Sequence, residues 1–497
     1  MTLRGKVDHR LETIQQAIQM LLEDLGSGKM QSGAYDTGWL ARLDSRYPQM
    51  GFDSSLEWLR QHQYDDGSWG APLLQYHDRY ISTLSAVVAL HEVGRHAKDQ
   101  RRVRRGEDAL WKLVGYLNKD DSDTVGFPLL ATALTREANA LGLDVPQPPI
   151  RFEAAYQRKV KVLMQQPPSF WHSNAITASF EGLSASLPAE SILAENGSVA
   201  ASPAATASVL LHENNPRALA YLHNVLAIEN TGGAPNFTPI DSFEINWALN
   251  SLRAADAIQP DHPRVGVLLN HLWNNWSPAE GMSYSRSLKV CDLDDTVISM
   301  LLLRWGDYPI NADTLYFYEK DDHFCCYREE TDPSPSANAR TLTMLKFFPE
   351  HPATAGWSEK VVAALRGYDA TGIFWWDKWH ASPYYATSIA IEAMHDVALE
   401  MVTPRIRWIL RTQRDDGGWG HLGVSTPEET AYCLSALTLW NRRVAPIAPE
   451  VMRQAASYLM TRLDDLVIPL WIAKSLYAPT HMVRAAILGA LYGYYTS

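Results

Sequence analysis

Apolar residues along this chain recur at three- and four-residue intervals, the spacing that lines one face of an α-helix. The pattern predicts helices over Ser54 to His62, Tyr80 to Val93, Glu107 to Leu117, Leu129 to Leu141 and Glu428 to Trp440, with a further apolar run from Thr296 to Leu303. Convincing period-two alternation is absent, so the expected class is all-α. Between the helices one turn recurs. Gln63-Tyr64-Asp65-Asp66-Gly67-Ser68-Trp69-Gly70 returns as Gln413-Arg414-Asp415-Asp416-Gly417-Gly418-Trp419-Gly420, an internal repeat in which Asp and Gly make the turn. The Gln side chain is expected to bond backbone groups at the end of a neighbouring helix, with Trp stacked beneath. Weaker relatives are Glu195-Asn196-Gly197-Ser198, Glu280-Gly281-Met282 and Thr371-Gly372-Ile373-Phe374. Such units suit rings of paired helices, and two strong copies 350 residues apart predict two rings. Gln147 to Ile150, Gln165 to Ser169 and Ala201 to Pro203 read as loops.

Composition narrows the function classes. With 497 residues the chain has room for two or three domains, each with a full core. Its 17 Trp, 22 Tyr and 12 Phe supply an unusual stock of aromatic rings. A net charge of −12 argues against a broad nucleic-acid surface, which needs a positive stripe. The one basic run, Arg101, Arg102, Arg104 and Arg105, reads as a solvated helix face. Cys291, Cys325, Cys326 and Cys433 show neither paired nor C-x-x-C spacing, so disulfides and structural zinc are not expected. Met1 to Leu25 lacks the continuous apolar core of a signal peptide, and no run approaches 18 apolar residues. The expectation is a soluble cytoplasmic protein.

The candidate chemistry lies in Val290-Cys291-Asp292-Leu293-Asp294-Asp295-Thr296-Val297-Ile298, where three carboxylates fall within four residues ahead of an apolar helix. An exposed Asp, with a pKa of about 3.9, is ionised at pH 7 and cannot donate a proton. Crowded carboxylates beside an apolar wall retain one, which makes the cluster a candidate general acid for a weak base. The competing reading is that Asp295 or Asp294 merely caps the helix Thr296 to Leu303, a common use of Asp.

Further motifs extend this signal over most of the chain. They are Ala34-Tyr35-Asp36-Thr37-Gly38-Trp39, Asp66-Gly67-Ser68-Trp69-Gly70, His77-Asp78-Arg79-Tyr80-Ile81-Ser82-Thr83-Leu84, Val125-Gly126-Phe127, Gly232-Gly233-Ala234-Pro235-Asn236, Asp292 to Thr296, and Trp471-Ile472-Ala473-Lys474-Ser475-Leu476-Tyr477. Together they resemble the class II diterpene cyclases, isomerases of the D-x-D-D type that make labdane-related diphosphates. The resemblance implies two α/α-barrel domains with the active site at their interface. A β domain would comprise residues 1–45 and 236–497, and an inserted γ domain residues 46–235.

By that resemblance Asp294 is the general acid, oriented and tuned by Asp292 and Asp295. It would protonate the terminal alkene of geranylgeranyl diphosphate and start bicyclisation with the diphosphate retained; a drimenyl-type cyclase acting on farnesyl diphosphate is the alternative. The carbocation requires a dry pocket with aromatic walls. Trp375, Trp376, Trp379, Tyr384 and Tyr385 are the expected wall. Magnesium is the expected cofactor, held by Asp120, Asp121 and Asp123, with Arg158, Lys159 and Lys161 near the diphosphate. Asn236 matches the Asn of the His–Asn pair that ends the reaction in plant relatives, whereas Ala178 stands at the His position and His172 lies nearby. Loss of that base would let hydride and methyl shifts precede the final deprotonation.

The D-D-x-x-D and N-D-x-x-S-x-x-x-E metal motifs of class I enzymes are absent, so the product should pass, still a diphosphate, to a class I synthase or a phosphatase. A squalene-hopene type cyclase would carry more repeats on a longer chain. An α/α-barrel glycosidase would need separated acids. A non-catalytic helical scaffold would be indifferent to loss of Asp294. Oligomeric state stays open.

Overall fold

The computed structural model describes residues 3–120, 123–183, 187–330 and 332–497. Within them lie nineteen α-helices, six 3-10 turns and four two-residue strands. The predicted helices are present as Asp53–Gln61, Tyr76–Val93, Ala97–Leu113, Phe127–Ala140, Leu293–Trp305 and Pro427–Arg443. Ala97–Leu113 begins well ahead of Glu107; its arginine-rich first turns are polar and carry no apolar period to read. They are anchored instead by Asp99, which accepts from the His96 amide at 3.2 Å and from Arg60 at 2.8 Å. Five helices start on a hydroxyl or amide cap followed by proline: Ser202-Pro203, Asn215-Pro216, Ser334-Pro335, Ser382-Pro383 and Thr426-Pro427. The cap satisfies a free amide of the first turn, and proline lacks the amide that would otherwise need one.

The repeated turn works as the residues suggest. Gln63 donates to the carbonyls of Gly67 and Arg102, and Gln413 to those of Gly417 and Val451, at 2.9–3.0 Å. The Trp69 and Trp419 indoles donate back to Leu59 and Ile409 at 2.8 Å. A second feature extends the repeat beyond its sequence signature. The amides of Trp69, Val199, Met282, Trp375 and Trp419 donate to Thr83, Thr206, Thr296, Thr387 and Thr430 respectively, each at 2.9–3.0 Å. The Ala234 amide does the same to Thr37 at 2.9 Å. Every copy ties a turn to the first half of a helix, so the units stack in rings.

Two large buried cores result among the described residues, with a small third cluster of Ala71, Ala381, Ile472 and Leu476. One joins Ile14–Met30 to residues 240–491; the other spans Ala34 to Ala234. The second unit is therefore inserted into the first. The helix Ala34–Arg42 belongs to the inserted core, so the first boundary falls between residues 30 and 34, ahead of the 45/46 position expected from sequence. Its residues are buried all round, against Tyr76–Val93 and Pro203–His212, which hides any one-sided periodicity. The chain crosses between units beside buried Glu244, whose carboxylate accepts the amides of Gly26, Gly28 and Lys29 at 2.7–3.0 Å. Among the described residues no helix is long and apolar enough to cross a membrane.

Candidate active site

Where the two units meet, a cavity encloses about 1050 Å³ of empty space, part of it open to solvent. Val125, Ala178, Ser179 and Ala200 of the inserted unit face aromatic residues and all three clustered acids of the other. The acids stand at the start of the helix Leu293–Trp305. Asp292 ends a two-residue strand paired with Met282–Ser283, and its Oδ1 accepts the Asp295 amide at 2.8 Å, so the cap is Asp292 and not Asp294 or Asp295, because the helix begins at Leu293, ahead of the expected Thr296. The Asp295 carboxylate accepts from Asn246 at 2.9 Å, and Asn246 accepts from Ser299 at 2.9 Å. Asp294 differs: it is 7% exposed and its Oδ1 has no hydrogen-bond partner.

Met282 and Gly281 set this helix in place. The Met282 amide and the Tyr318 hydroxyl both meet Thr296 Oγ1, at 3.0 and 3.1 Å. Gly281 has φ +95°, and a Cβ there would lie 2.1 Å from Thr296 Oγ1. Only glycine accepts both the backbone conformation and the close approach.

Electrostatics favour a retained proton. Burial, reinforced by Asp377, pushes the Asp294 carboxyl up to about 7, against the opposing pull of Arg340 and Lys378. Asp292 and Asp295 are also held above the carboxylate range, each first by burial; Asp292 is pushed further by Asp295 and Asp294, and Asp295 by Asp294. The group therefore fits a proton donor in an apolar chamber.

The wall is only partly the expected one. Trp379 and Tyr385 line the cavity, joined by Phe237, Phe243, Trp247, Tyr284, Tyr327, Trp471 and Tyr477. Trp375 does not line it: as a further copy of the repeat, its indole donates to Leu365 at 2.9 Å beneath the Arg405 guanidinium. Trp376 packs edge-on against Phe374 and His421, and Tyr384 stacks on Trp408, both away from the lining. Trp247 and Asn246 share the helix Asp241–Ala254, whose polar residues Asp241, Glu244 and Asn246 are buried. Polar residues at apolar helix positions were the signal available for them.

A hairpin from Trp471 to Tyr477 closes the chamber and bridges the units. Leu476 donates to Asp78 at 2.9 Å, and Val125 to Ala473 at 2.8 Å. Lys474, fully buried, donates to Glu181 at 2.6 Å and Ser202 at 2.5 Å. Asn236 exchanges hydrogen bonds with Ser475 at 3.0–3.2 Å and is not among the lining residues, so here it pins the hairpin turn. Ala178 is on the lining; His172 is exposed and off it.

Asp120 Oδ2 accepts from both the His77 amide and its Nδ1 at 2.8 Å, and Asp123 Oδ1 lies 3.2 Å from His77 Nε2. Asp121 lies outside the described residues. Among the described residues no three His, Cys, Asp or Glu side chains form a metal cluster. Arg158, Lys159 and Lys161 lie exposed on the helix Ile150–Leu163, whose Phe152 and Tyr156 are buried, and none lines the cavity.

The squalene-hopene cyclase C-terminal domain family matches residues 305–442. A type B diterpene cyclase of Mycobacterium tuberculosis is 35% identical, with 94% of this chain and 96% of that one covered. An ent-copalyl diphosphate synthase of a Streptomyces strain is 32% identical over 93% of this chain and 92% of its own. The solved ent-copalyl diphosphate synthase from Streptomyces platensis superimposes with TM-score 0.80 at 28% identity, covering 97% of this chain and 99% of that one.

Proposed function

Because the chain belongs to the class II diterpene cyclase family, we propose that it bicyclises geranylgeranyl diphosphate by protonating the terminal alkene from Asp294, leaving the diphosphate in place. The observation that carries this reading is a buried carboxyl, raised to about 7 and with one oxygen unpartnered, on the wall of an aromatic chamber. Asp292 and Asp295 each accept a hydrogen bond from the protein, whereas Asp294 keeps an oxygen without a partner, so we assign the donor to Asp294 although burial also raises Asp295, to about 8. Protonation converts the alkene to a tertiary cation, and internal alkenes close the two rings in turn. Water would quench such a cation, so its neighbours must be dry and weakly nucleophilic. Each facing aromatic ring contributes roughly 0.5–2 kcal/mol of cation–π attraction.

Termination follows from the same lining. Ala178 offers no base and Asn236 is occupied by Ser475. The bicyclic cation then lives long enough for hydride and methyl shifts, and the product skeleton is rearranged, of halimadienyl or clerodane type. Asp120 and Asp123 would hold magnesium, since this ion needs only one or two protein carboxylates beside substrate phosphate oxygens. Bound there, it would neutralise the diphosphate.

The test is turnover of geranylgeranyl and farnesyl diphosphates in deuterated buffer, followed by phosphatase and mass spectrometry. The proposal expects a bicyclic C20 alcohol carrying one deuterium from the acid, and little turnover of the C15 substrate. Preferred cyclisation of farnesyl diphosphate overturns the substrate. Unrearranged copalyl diphosphate as sole product, unchanged in Ala178→His, overturns the skeleton.

A further inference from the structure

Behind the chamber wall lies a second buried carboxylate that the scheme above does not use. Glu428 is 2% exposed. Its Oε1 accepts from the Trp471 indole at 2.8 Å, from the Tyr432 hydroxyl at 2.8 Å and from His380 Nε2 at 3.3 Å. His380 Nδ1 accepts the Ser382 amide at 3.1 Å, which leaves the neutral ring's proton on Nε2, pointing at Glu428. Glu428 Oε2 is buried without a partner. Three donors therefore converge on one carboxylate oxygen while the other stays free.

The helix start does not explain this carboxylate. Glu428 stands in the first turn of Pro427–Arg443, where an acid complements the helix dipole. Its neighbour Glu429 meets that structural need, accepting from Ser382, Thr426 and the His421 amide at 2.5–2.8 Å. Glu428 turns instead towards the rings. Trp471 and Tyr385 both line the chamber, 5.0 Å apart between centroids. His380 stacks on Tyr385 at 4.7 Å and 17°, and meets Trp471 edge-on at 5.4 Å.

We propose that Glu428 is a positioning residue that stabilises the carbocation through Trp471 and Tyr385. A negative charge at the N–H edge of an indole polarises the ring and enriches the face it presents to the chamber. In a low-dielectric interior the charge also attracts the cation through the wall. Because Glu428 is not among the lining residues of the chamber, the carboxylate can neither trap the cation as an ester nor deprotonate it. This assignment rests on the carbocation reading above.

The experiment compares wild type, Glu428→Gln, Trp471→Phe and the double variant. Two C20 diphosphate analogues serve as binding probes, one with an ammonium nitrogen at a cationic carbon and one neutral of the same shape. Glu428→Gln is expected to lower kcat 10- to 100-fold with KM within about threefold and to raise the share of early-quenched products. It should weaken the ammonium probe about tenfold and leave the neutral probe unchanged. Trp471→Phe severs the same hydrogen bond while keeping an aromatic face, so it supplies the probe comparison should Glu428→Gln not fold. The double variant should be no worse than the weaker single. Equal effects on both probes, or unchanged kcat and products, overturn the assignment. Failure of the wild type to cyclise geranylgeranyl diphosphate overturns the reading beneath it as well, whereas wild-type turnover with an indifferent Glu428→Gln overturns the Glu428 assignment alone.

Discussion

Asn246 donates to Asp295 Oδ1 at 2.9 Å, and its own oxygen accepts from Ser299 at 2.9 Å, so the amide is locked with its donor edge towards the acid. The bond favours the ionised form of Asp295, against the burial that raises its carboxyl. Replacing Asn246 with Leu removes a charge-assisted hydrogen bond, of about 1.5–3 kcal/mol. The expected result is a 10- to 100-fold fall in kcat with little change in KM, read by steady-state kinetics. Asn246→Asp, which adds a fourth carboxyl, should be more damaging.

The Asp294 carboxyl, at about 7, sets the pH dependence. Only the protonated form donates, so kcat should be flat below neutrality and fall about tenfold per pH unit above it. Stability runs with the same sign. A folded-state pKa above the unfolded value contributes stability that is present below about 4 and lost as pH rises through about 7. Asp294→Asn should therefore melt several degrees above wild type at pH 8, within an upper bound of about 4 kcal/mol, and alongside it at pH 4. Thermal melts at the two pH values measure this directly.

Gly281→Ala tests how the acid-bearing helix is seated. The added Cβ would collide with Thr296 Oγ1 at 2.1 Å, on a backbone with φ +95°. We expect about 2–4 kcal/mol of destabilisation and loss of activity. Gly372→Ala, at φ +71° with open space around its Cβ, should cost about 1 kcal/mol and keep activity; chemical denaturation and turnover distinguish the two.

Trp247 and Trp375 separate chamber from scaffold. Trp247→Leu should alter product ratios, because that ring lines the chamber. Trp375→Phe gives up the indole bond to Leu365 and part of the Arg405 contact. It should lower the melting temperature by several degrees and leave the product ratio unchanged, as gas chromatography of the dephosphorylated products would show.

Legibility in the sequence followed period and repeat. Helices with one apolar face, such as Asp53–Gln61, were readable, and the acids stood out because three carboxylates within four residues exceed what one helix cap needs. The helix Ala34–Arg42, buried on every side, gives no one-sided pattern to read, which displaced the first domain boundary. Trp375 was drawn to the wall by its type, yet the amide of Trp375 and the hydroxyl of Thr387 mark it as a copy of the repeated turn. The weak Thr371-Gly372 relative was its signature. Lys474 and Glu181, 2.6 Å apart across the two units, and Glu428 beneath Trp471 are long-range pairings that no local spacing encodes.

The most direct test of the central claim is turnover of geranylgeranyl diphosphate by wild type and by Asp294→Asn, with circular dichroism confirming that both are folded. A bicyclic C20 diphosphate formed by the wild type and reduced at least 10³-fold in the variant is the predicted result. A folded Asp294→Asn protein that still cyclises the substrate at a comparable rate would contradict it.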